Sequence, residues 1–375
     1  MMTGLKPRLR ITAPTGATVT ATFQSDDVTL EEVEEGIFEA DVDKLAPWTV
    51  TATDGIDTAS KTVVVDDVGR FLDTILFATE PDGETLNDCS WANISQISSE
   101  GNAANYWEVG DTKAIALNGT CGTLALNTTL YCYILGFDHN SAKEGTGIHF
   151  GTWKTSASGG ADVCLVDDTY DTNAGATGAK KFALNHWGNA SSSPYNTNYG
   201  GWKGCDARYD ILGSTNTAPS GYGSTPTTSR VGYDAPTNTA TSPVANTLMS
   251  CLPSELRAVM KPITKYTNNV GNGNNTDAGV SSSVDYLPLL AEFEIFGARS
   301  YANEYEQNYQ AQYTYYSSGN SKVKYKHNAT TTTANWWERS PLYSNANGFC
   351  LVNTNGDAYN DASRYSIGLA PIFMV

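Results

Sequence analysis

The residues with the widest chemical reach in this 375-residue sequence are four histidines and seven cysteines. His139 in FDHN and His149 in IHFG could come close enough to share a metal. A buried histidine with its hydrogen bonds satisfied is the simpler reading. His186 and His327 stand apart from them. DDTYDTNAG opens like a calcium loop at Asp171, Asn173 and Gly175, but Phe182 stands where the closing Glu belongs, so the EF-hand reading fails. Cys89, Cys121, Cys132, Cys164, Cys205, Cys251 and Cys350 are odd in number and contain no CxxC pair. They read as buried thiols in a chain made in a reducing cytoplasm. No GxSxG, HExxH, P-loop or dinucleotide fingerprint occurs. A polysaccharide-cleaving enzyme would need two carboxylates about 5 to 9 Å apart, and spacing does not single out a pair among 40 acids. The metal question stays open, and no catalytic residue or cofactor is assigned. Calcium remains conceivable without a motif that asks for it.

Binding is the chemistry that the composition favours. Charged residues are only 17% of the chain, while Gly (34) and Tyr (21) are abundant, the profile of a loop-rich β-containing protein with a neutral polar surface. A net charge of −17 repels a phosphate backbone, so nucleic acid is not an expected partner. The start of the chain does not read as a secretory signal, and no apolar run is long enough to insert in a membrane.

Residues 1–70 read as one small antiparallel β-sandwich. LRITA, ATVTATF, GIFEADV, WTVTATDG and TASKTVVVDD are short Val/Thr/Ile strands, with turns at Pro14-Thr15-Gly16 and Asp54-Gly55. Glu31, Glu32, Glu34 and Glu35 read as a solvated face. WTVTATDG and ASKTVVV resemble the Ig-like modules of phage tail proteins, which implies a spacer or attachment domain that contacts other virion proteins. Residues 71–85 read as the linker.

From residue 86 the texture becomes aromatic and glycine-rich. CSWANISQIS predicts a short helix, TLYCYILGFDHN a buried strand, and SCLPSELRAVMKPITKYT the clearest helix. In that helix Ser250 or Ser254 would cap, Leu256, Val259 and Met260 would face inward, and Pro262 would end it. VDYLPLLAEFEIFG predicts extended core structure. Long Ser/Thr/Asn/Gly loops carry Tyr195, Tyr199, Trp202, Tyr222 and Tyr233, which predicts that the loops are packed down. NYGGWKGCDARYDILG, SCLPSELRAVMKPITKYT, LPLLAEFEIFGARSYANEYEQNYQAQYTYY and WWERSP…FCLV…GLAPIF resemble the C-type-lectin-like domain of phage and prophage tail proteins diversified by retroelements. This domain is a fold relative of formylglycine-generating enzymes. The resemblance covers residues 86–375. It implies an α+β lectin-like domain with much ordered loop, a variable region at about 336–375, and a tail fibre adhesin that binds a bacterial surface protein or glycan. It also implies location in the virion after synthesis in the host cytoplasm, and a homotrimer is expected from fibre-tip symmetry. The alternatives are a structural decoration protein or a polysaccharide-cleaving tail enzyme.

Retroelement diversification replaces adenines, and its favoured Asn codons can never become Lys, Glu, Gln, Met or Trp. Between Leu342 and Ile367 none of these five occurs. The Asn, Tyr, Ser, Asp and Gly found there suit a binding surface, since Tyr gives rigid amphipathic area and Ser and Asn give adaptable hydrogen bonds. The expected face is therefore Leu342, Tyr343, Ser344, Asn345, Gly348, Leu351, Asn353, Asn355, Asp357, Tyr359, Asn360, Asp361 and Arg364. Trp336, Trp337, Phe349, Cys350, Pro371 and Phe373 form the frame beneath, and Arg339 is read as half of a buried pair with Glu338.

Overall fold

The computed structural model describes residues 6–66, 70–74, 78–122, 124–166, 182–185, 197–223, 228 and 230–375, and the chain divides into two compact units, Met1–Glu80 and Pro81–Val375. Tyr195, His186 and the Asp171, Asn173 and Gly175 segment lie outside the described residues.

Alternation of small polar and apolar residues builds the first unit. Its strands are β1 (Arg8–Thr12), β2 (Thr18–Phe23), β3 (Asp26–Glu34), β4 (Ile37–Asp41), β5 (Pro47–Thr53), β6 (Thr58–Val64) and β7 (Arg70–Thr74). In β5, Trp48, Val50 and Ala52 are buried while the intervening threonines face outward, the period-two pattern of a half-buried strand. β3 pairs with β2 through Leu30 and with β4 from Glu31. This change of partner lets the order β6-β5-β2-β3-β4-β1-β7 enclose one core. The sequence predicts antiparallel pairing throughout, but β1 and β7 run parallel, so Arg70–Thr74, of which residues 71–74 fall in the expected linker, is a strand of this unit. The acidic run is exposed, as a solvated face should be.

The second unit is mixed and rich in antiparallel sheet. Its strands are β8 (Thr112–Cys121), β9 (Leu124–Phe137), β10 (Ile148–Lys154), β11 (Asp162–Val163), β12 (Ile263–Asn268), β13 (Val280–Asp285), β14 (Lys324–Lys326), β15 (Ala329–Ala334), β16 (Trp336–Pro341), β17 (Gly348–Val352), β18 (Ala358–Ala362) and β19 (Phe373–Met374). The main sheet has the order β15-β14-β11-β10-β9-β8, with β19 paired to β10. β12 pairs with β13, and β16-β17-β18 form a third sheet. The helix Trp91–Ser99 starts where the Ser90 hydroxyl accepts from Asn93 N, and it buries Trp91, Ile94 and Ile97, which are the residues that its period selects. No helix among the described residues is long and apolar enough to cross a membrane.

Two expected elements are corrected. The segment around Pro253 makes only the short helices Leu248–Cys251 and Ser254–Val259. Pro253 breaks the run, and Met260 is extended ahead of Pro262. Leu256 and Met260 are buried, but Val259 is only half-buried. VDYLPLLAEFEIFG is strand only to Asp285 and then turns into the helix Glu292–Phe296. The Glu294 carboxylate accepts from Ala291 N at 2.9 Å and caps that helix, and Gly297 ends it at φ 66°. Of the loop aromatics, Trp202 is fully buried and donates to Asp285 Oδ2 at 3.1 Å. Tyr199 and Tyr222 are half-buried. Tyr233 is exposed and does not anchor its loop through its ring.

The core gathers around Phe373, whose ring stacks on Phe150 with centroids 5.3 Å apart and meets Trp91 edge-on at 6.0 Å. Trp153 Nε1 donates to the Pro371 carbonyl at 3.1 Å. Trp336 and Trp337 are both fully buried, so neither is placed to stack on a ligand. We expect Trp337→Ala to cost about 3–5 kcal/mol, read as a fall in melting temperature. A change under about 1 kcal/mol would mean that the indole is not part of the frame.

Candidate functional site

β17 is the central strand of its sheet, and all five of its residues are buried. Both of its faces are covered, so Leu351 cannot reach a ligand. Gly348 has no room for a side chain, because an added Cβ would lie 2.7 Å from the Asp361 carbonyl oxygen. Leu342, 4% exposed, packs over that glycine, and its N–H donates to Gly348 O at 3.0 Å. Leu342, Gly348 and Leu351 are therefore removed from the expected face and belong to the layer beneath it.

The remaining ten residues are exposed or half-buried. Ser344, Asn345, Asn355, Asp357 and Tyr359 are exposed, and Tyr343, Asn353, Asn360, Asp361 and Arg364 are half-buried. They fall on edge strand β18 and on the two turns that flank β17, except Arg364, which lies in the turn after β18. Several already have work to do. Asn345 Oδ1 accepts from Asn347 N at 2.8 Å, and Asn353 Oδ1 accepts from Asn355 N at 2.8 Å and Asp357 N at 3.0 Å. These bonds close turns in place of contacting a ligand. The Arg299 guanidinium lies 5.0 Å from the Tyr343 ring centroid, and that of Arg364 lies 4.7 Å from Tyr365. Both rings are thus held by cations.

The surface is fixed mainly through its backbone. Asn198 is fully buried. Its Nδ2 donates to Asn345 O at 3.1 Å and Gly348 O at 2.8 Å, and its N–H donates to Ala346 O at 2.7 Å. Its Oδ1 accepts from Asn272 N at 2.7 Å, tying the tail to the loop after β12. Tyr343 N donates to Tyr301 O, and Ser363 N to Asn347 O. Main-chain bonds do not depend on which side chain each tail residue carries. The loop that includes Asn269–Asn275 borders the face, since an added Cβ at Gly273 would sit 3.4 Å from Asn345. Within it Val270 is 46% exposed. Sequence reading marks the polar loops that hold Asn198 and Asn269–Asn275 as long and packed down but gives them no place in the face, although NNVGNGNN shares the texture of the tail.

Under the face lies a buried charged cluster. Arg339 does not pair with Glu338. It donates to both oxygens of Glu294, at 2.5 and 2.7 Å. Lys265 Nζ donates to Glu294 at 2.9 Å and Tyr313 OH at 2.9 Å, and also to Glu144. His149 shares a hydrogen bond with Tyr313 at 2.8 Å, and His139 stacks on that ring with centroids 3.6 Å apart. His139, Glu144 and Glu294 bring ligand atoms within 4.8 Å of one another, a donor set that would suit a metal in type. Lys265 already bridges the two carboxylates and Arg339 adds a second positive charge, so the charge balance is that of an ion-pair network. Burial pushes the His139 imidazole down to about 3, with Lys265 adding to the effect, and pushes His149 well below its ordinary value. Burial pushes the Cys350 thiol well up, and nearby carboxylates add to this. That suits an inert thiol, not a nucleophile.

Asn198→Ala should cost about 1–3 kcal/mol, because it leaves the Asn345 carbonyl and the Asn272 N–H without their partner, while Gly348 O keeps only the Leu342 N–H. It should also speed hydrogen exchange across residues 343–348. Unchanged exchange there would show that Asn198 does not hold the tail.

Glu306 accepts from Ser340 Oγ at 2.6 Å, Asn268 N at 2.8 Å and Gln310 Nε2 at 3.1 Å. Burial nonetheless pushes its carboxyl up from 4.5 to about 7. The folded chain then holds a proton that the unfolded chain releases above 4.5, so this group's stability is present below pH 4.5 and is lost by pH 7. The loss amounts to about 3 kcal/mol. The depressed histidines act with the opposite sign below 6.5, so the test is a difference between two proteins. Relative to Glu306→Gln, the wild type should lose stability across pH 4.5–7 in denaturant titrations. Parallel curves would contradict this.

No curated protein and no solved structure matches the chain. The displayed tail, the Asn198 clamp, and Lys265, Glu294 and Arg339 all fall within residues 183–375, which match the family described as a domain of unknown function (DUF6273), and the chain belongs to that family.

Proposed function

We propose that the chain is a receptor-binding protein of a phage tail. In this reading its large unit is a lectin-like scaffold that presents a retroelement-diversified C-terminal face to a bacterial surface protein or glycan. The observation that carries this reading is the way residues 343–364 are held. Exposed Ser, Asn, Asp and Tyr side chains stand on a backbone fixed through its own carbonyl and amide groups. Such a surface can change its side chains at little cost to the fold, because exposed positions usually contribute within about ±0.5 kcal/mol. The absence of Lys, Glu, Gln, Met and Trp between Leu342 and Ile367 is consistent with variation by adenine replacement. The first unit would attach the chain to other virion proteins, and a trimer would multiply weak single-site affinities.

The test exchanges Ser344, Asn355, Asp357, Tyr359 and Arg364 together for other residues reachable from Asn codons. Binding to a panel of bacterial hosts and the melting temperature are then measured. The expected result is a changed host preference with each exchange costing no more than about 0.5 kcal/mol. Unchanged binding would point to a structural decoration protein, and unfolding would mean that the tail is only core.

A further inference from the structure

A second cleft, of about 560 Å³ and open to solvent, lies between the Gly159–Gly160 turn and the β14–β15 hairpin. Its size falls within the roughly 300–1,000 Å³ typical of small-ligand sites. Tyr133, Asp162, Tyr315, Tyr325, Thr330 and Thr331 line it. Tyr133 and Tyr315 form a nearly buried floor, with ring centroids 5.2 Å apart and planes at 45°. Tyr325 is half-buried, and both threonines are exposed. The hydroxyls of the three tyrosines have no hydrogen-bond partner among the described residues. Asp162 accepts from Trp153 N at 3.1 Å and Lys324 Nζ at 2.7 Å, both through Oδ1. Its Oδ2 is left as an acceptor at the cleft wall.

The electrostatics narrow the choice of ligand. Lys324 neutralises Asp162. Lys154 stands opposite Asp162 in the β10–β11 register, and its Nζ lies 4.1 Å from the Tyr133 ring centroid. It has no carboxylate partner within ion-pair distance among the described residues. In a chain of net charge −17, Lys154 is thus a cation without a paired carboxylate beside Tyr133 of the cleft floor. A polyphosphate would need more positive charge than that. An apolar ligand would strand the phenols and the carboxylate oxygen. A ring with an apolar face, several hydroxyls and one negative charge satisfies every group.

We infer that the cleft binds a pyranose bearing a carboxylate, that is, a uronic acid unit of a glycan chain. The sugar ring lies against Tyr325, and its hydroxyls bond to the phenols, Thr330, Thr331 and Asp162 Oδ2. The sugar carboxylate faces Lys154. An added Cβ at Gly356 would lie 3.2 Å from Val323, so the turn closed by Asn353 stands at the rim of the cleft. The inference rests on the receptor-binding reading only for the source of the glycan.

The experiment uses the full chain with methyl glucuronide and methyl galacturonide, and the matching neutral glycosides as controls. Binding is followed by calorimetry and saturation-transfer NMR. The uronides should bind with a Kd of about 1 mM, and the neutral sugars about tenfold more weakly. Lys154→Met should bring the uronides down to the neutral level. Tyr325→Phe combined with Thr330→Val should weaken both about tenfold, and melting curves should confirm that each variant is folded. Exchanging Ser344 and Tyr359, which lie outside the turn at the rim, should leave sugar binding unchanged. Failure of both uronides to bind at about 10 mM, equal binding of neutral and acidic sugars, or indifference to Lys154→Met would each overturn the inference. If host preference still follows the tail residues while the uronides do not bind, only this inference falls. If the uronides bind while tail exchange has no effect on hosts, the receptor-binding reading falls alone.

Discussion

Arg339 and Glu294 form the interaction on which the large unit depends. Arg339 belongs to β16, the first strand of the displayed sheet, yet its guanidinium bonds to Glu294 in a helix, to Thr267 in β12 and to the carbonyl of Leu289. Lys265 carries the connection from Glu294 to Glu144 and Tyr313. Burial alone would raise the Glu294 carboxyl, but Arg339 and Lys265 together hold it well below the usual carboxylate range. Two carboxylates face two cations, so the buried charges cancel. Removing one member of such a network leaves an uncompensated charge and costs about 3–5 kcal/mol. A hydrophobic core of equal volume could be as stable, but it would not fix the angle at which β16 meets three other elements.

That fixed angle matters because the face above it is attached so lightly. Edge strand β18 touches its own sheet on one side only, and the two turns beside β17 are closed by asparagine side chains and backbone bonds. Asn198 donates to three tail carbonyls and asks nothing of the residues that carry them. Rigidity therefore comes from below, from main-chain atoms and from the turn-closing side chains of Asn345 and Asn353, while exposed side chains without such bonds are free to differ. In the receptor-binding reading proposed above, groups held in place before the ligand arrives would favour affinity, since less conformational entropy is then lost.

How far the sequence could be read follows from the range of each interaction. Period-two strands such as PWTVTAT and the helix Trp91–Ser99 are governed by neighbours a few residues apart, and both are legible. The buried frame of Trp336, Trp337 and Phe373 is legible for a similar reason, since large apolar side chains have few other places to go. The segment after Val284 misleads because its apolar run suits a strand or a helix equally. Only the Glu294 cap and Gly297 decide for the helix. Gly348 and Leu351 are hidden from a sequence reading because nothing local marks β17 as the middle strand of its sheet, and Leu342 because it packs over Gly348. Arg339 was given the wrong partner for the same kind of reason. Glu338 adjoins it in sequence, but neighbouring residues on a strand point to opposite faces, and Glu294 reaches it only through the fold.

The fate of Glu338 shows what this arrangement costs. Its carboxyl is fully buried and neither oxygen has a hydrogen-bond partner among the described residues. Burial, with Glu292 and Glu306 nearby, pushes it well above its ordinary value, so it is neutral where an exposed glutamate would be charged. A neutral carboxyl can sit beside Glu292, Glu306 and the Cys350 thiol without repulsion, whereas an ionised one would be an unpaired charge at low dielectric beside two acids that burial also pushes up. The layer under the face thus carries two kinds of acid. Glu294 is ionised and bound to two cations, and Glu338 keeps its proton. The difference follows from position on β16, because Arg339 faces the β12 side while Glu338 faces the other acids. One strand therefore supplies both the fixed charge that orients the sheet and the proton-holding acid on its opposite face.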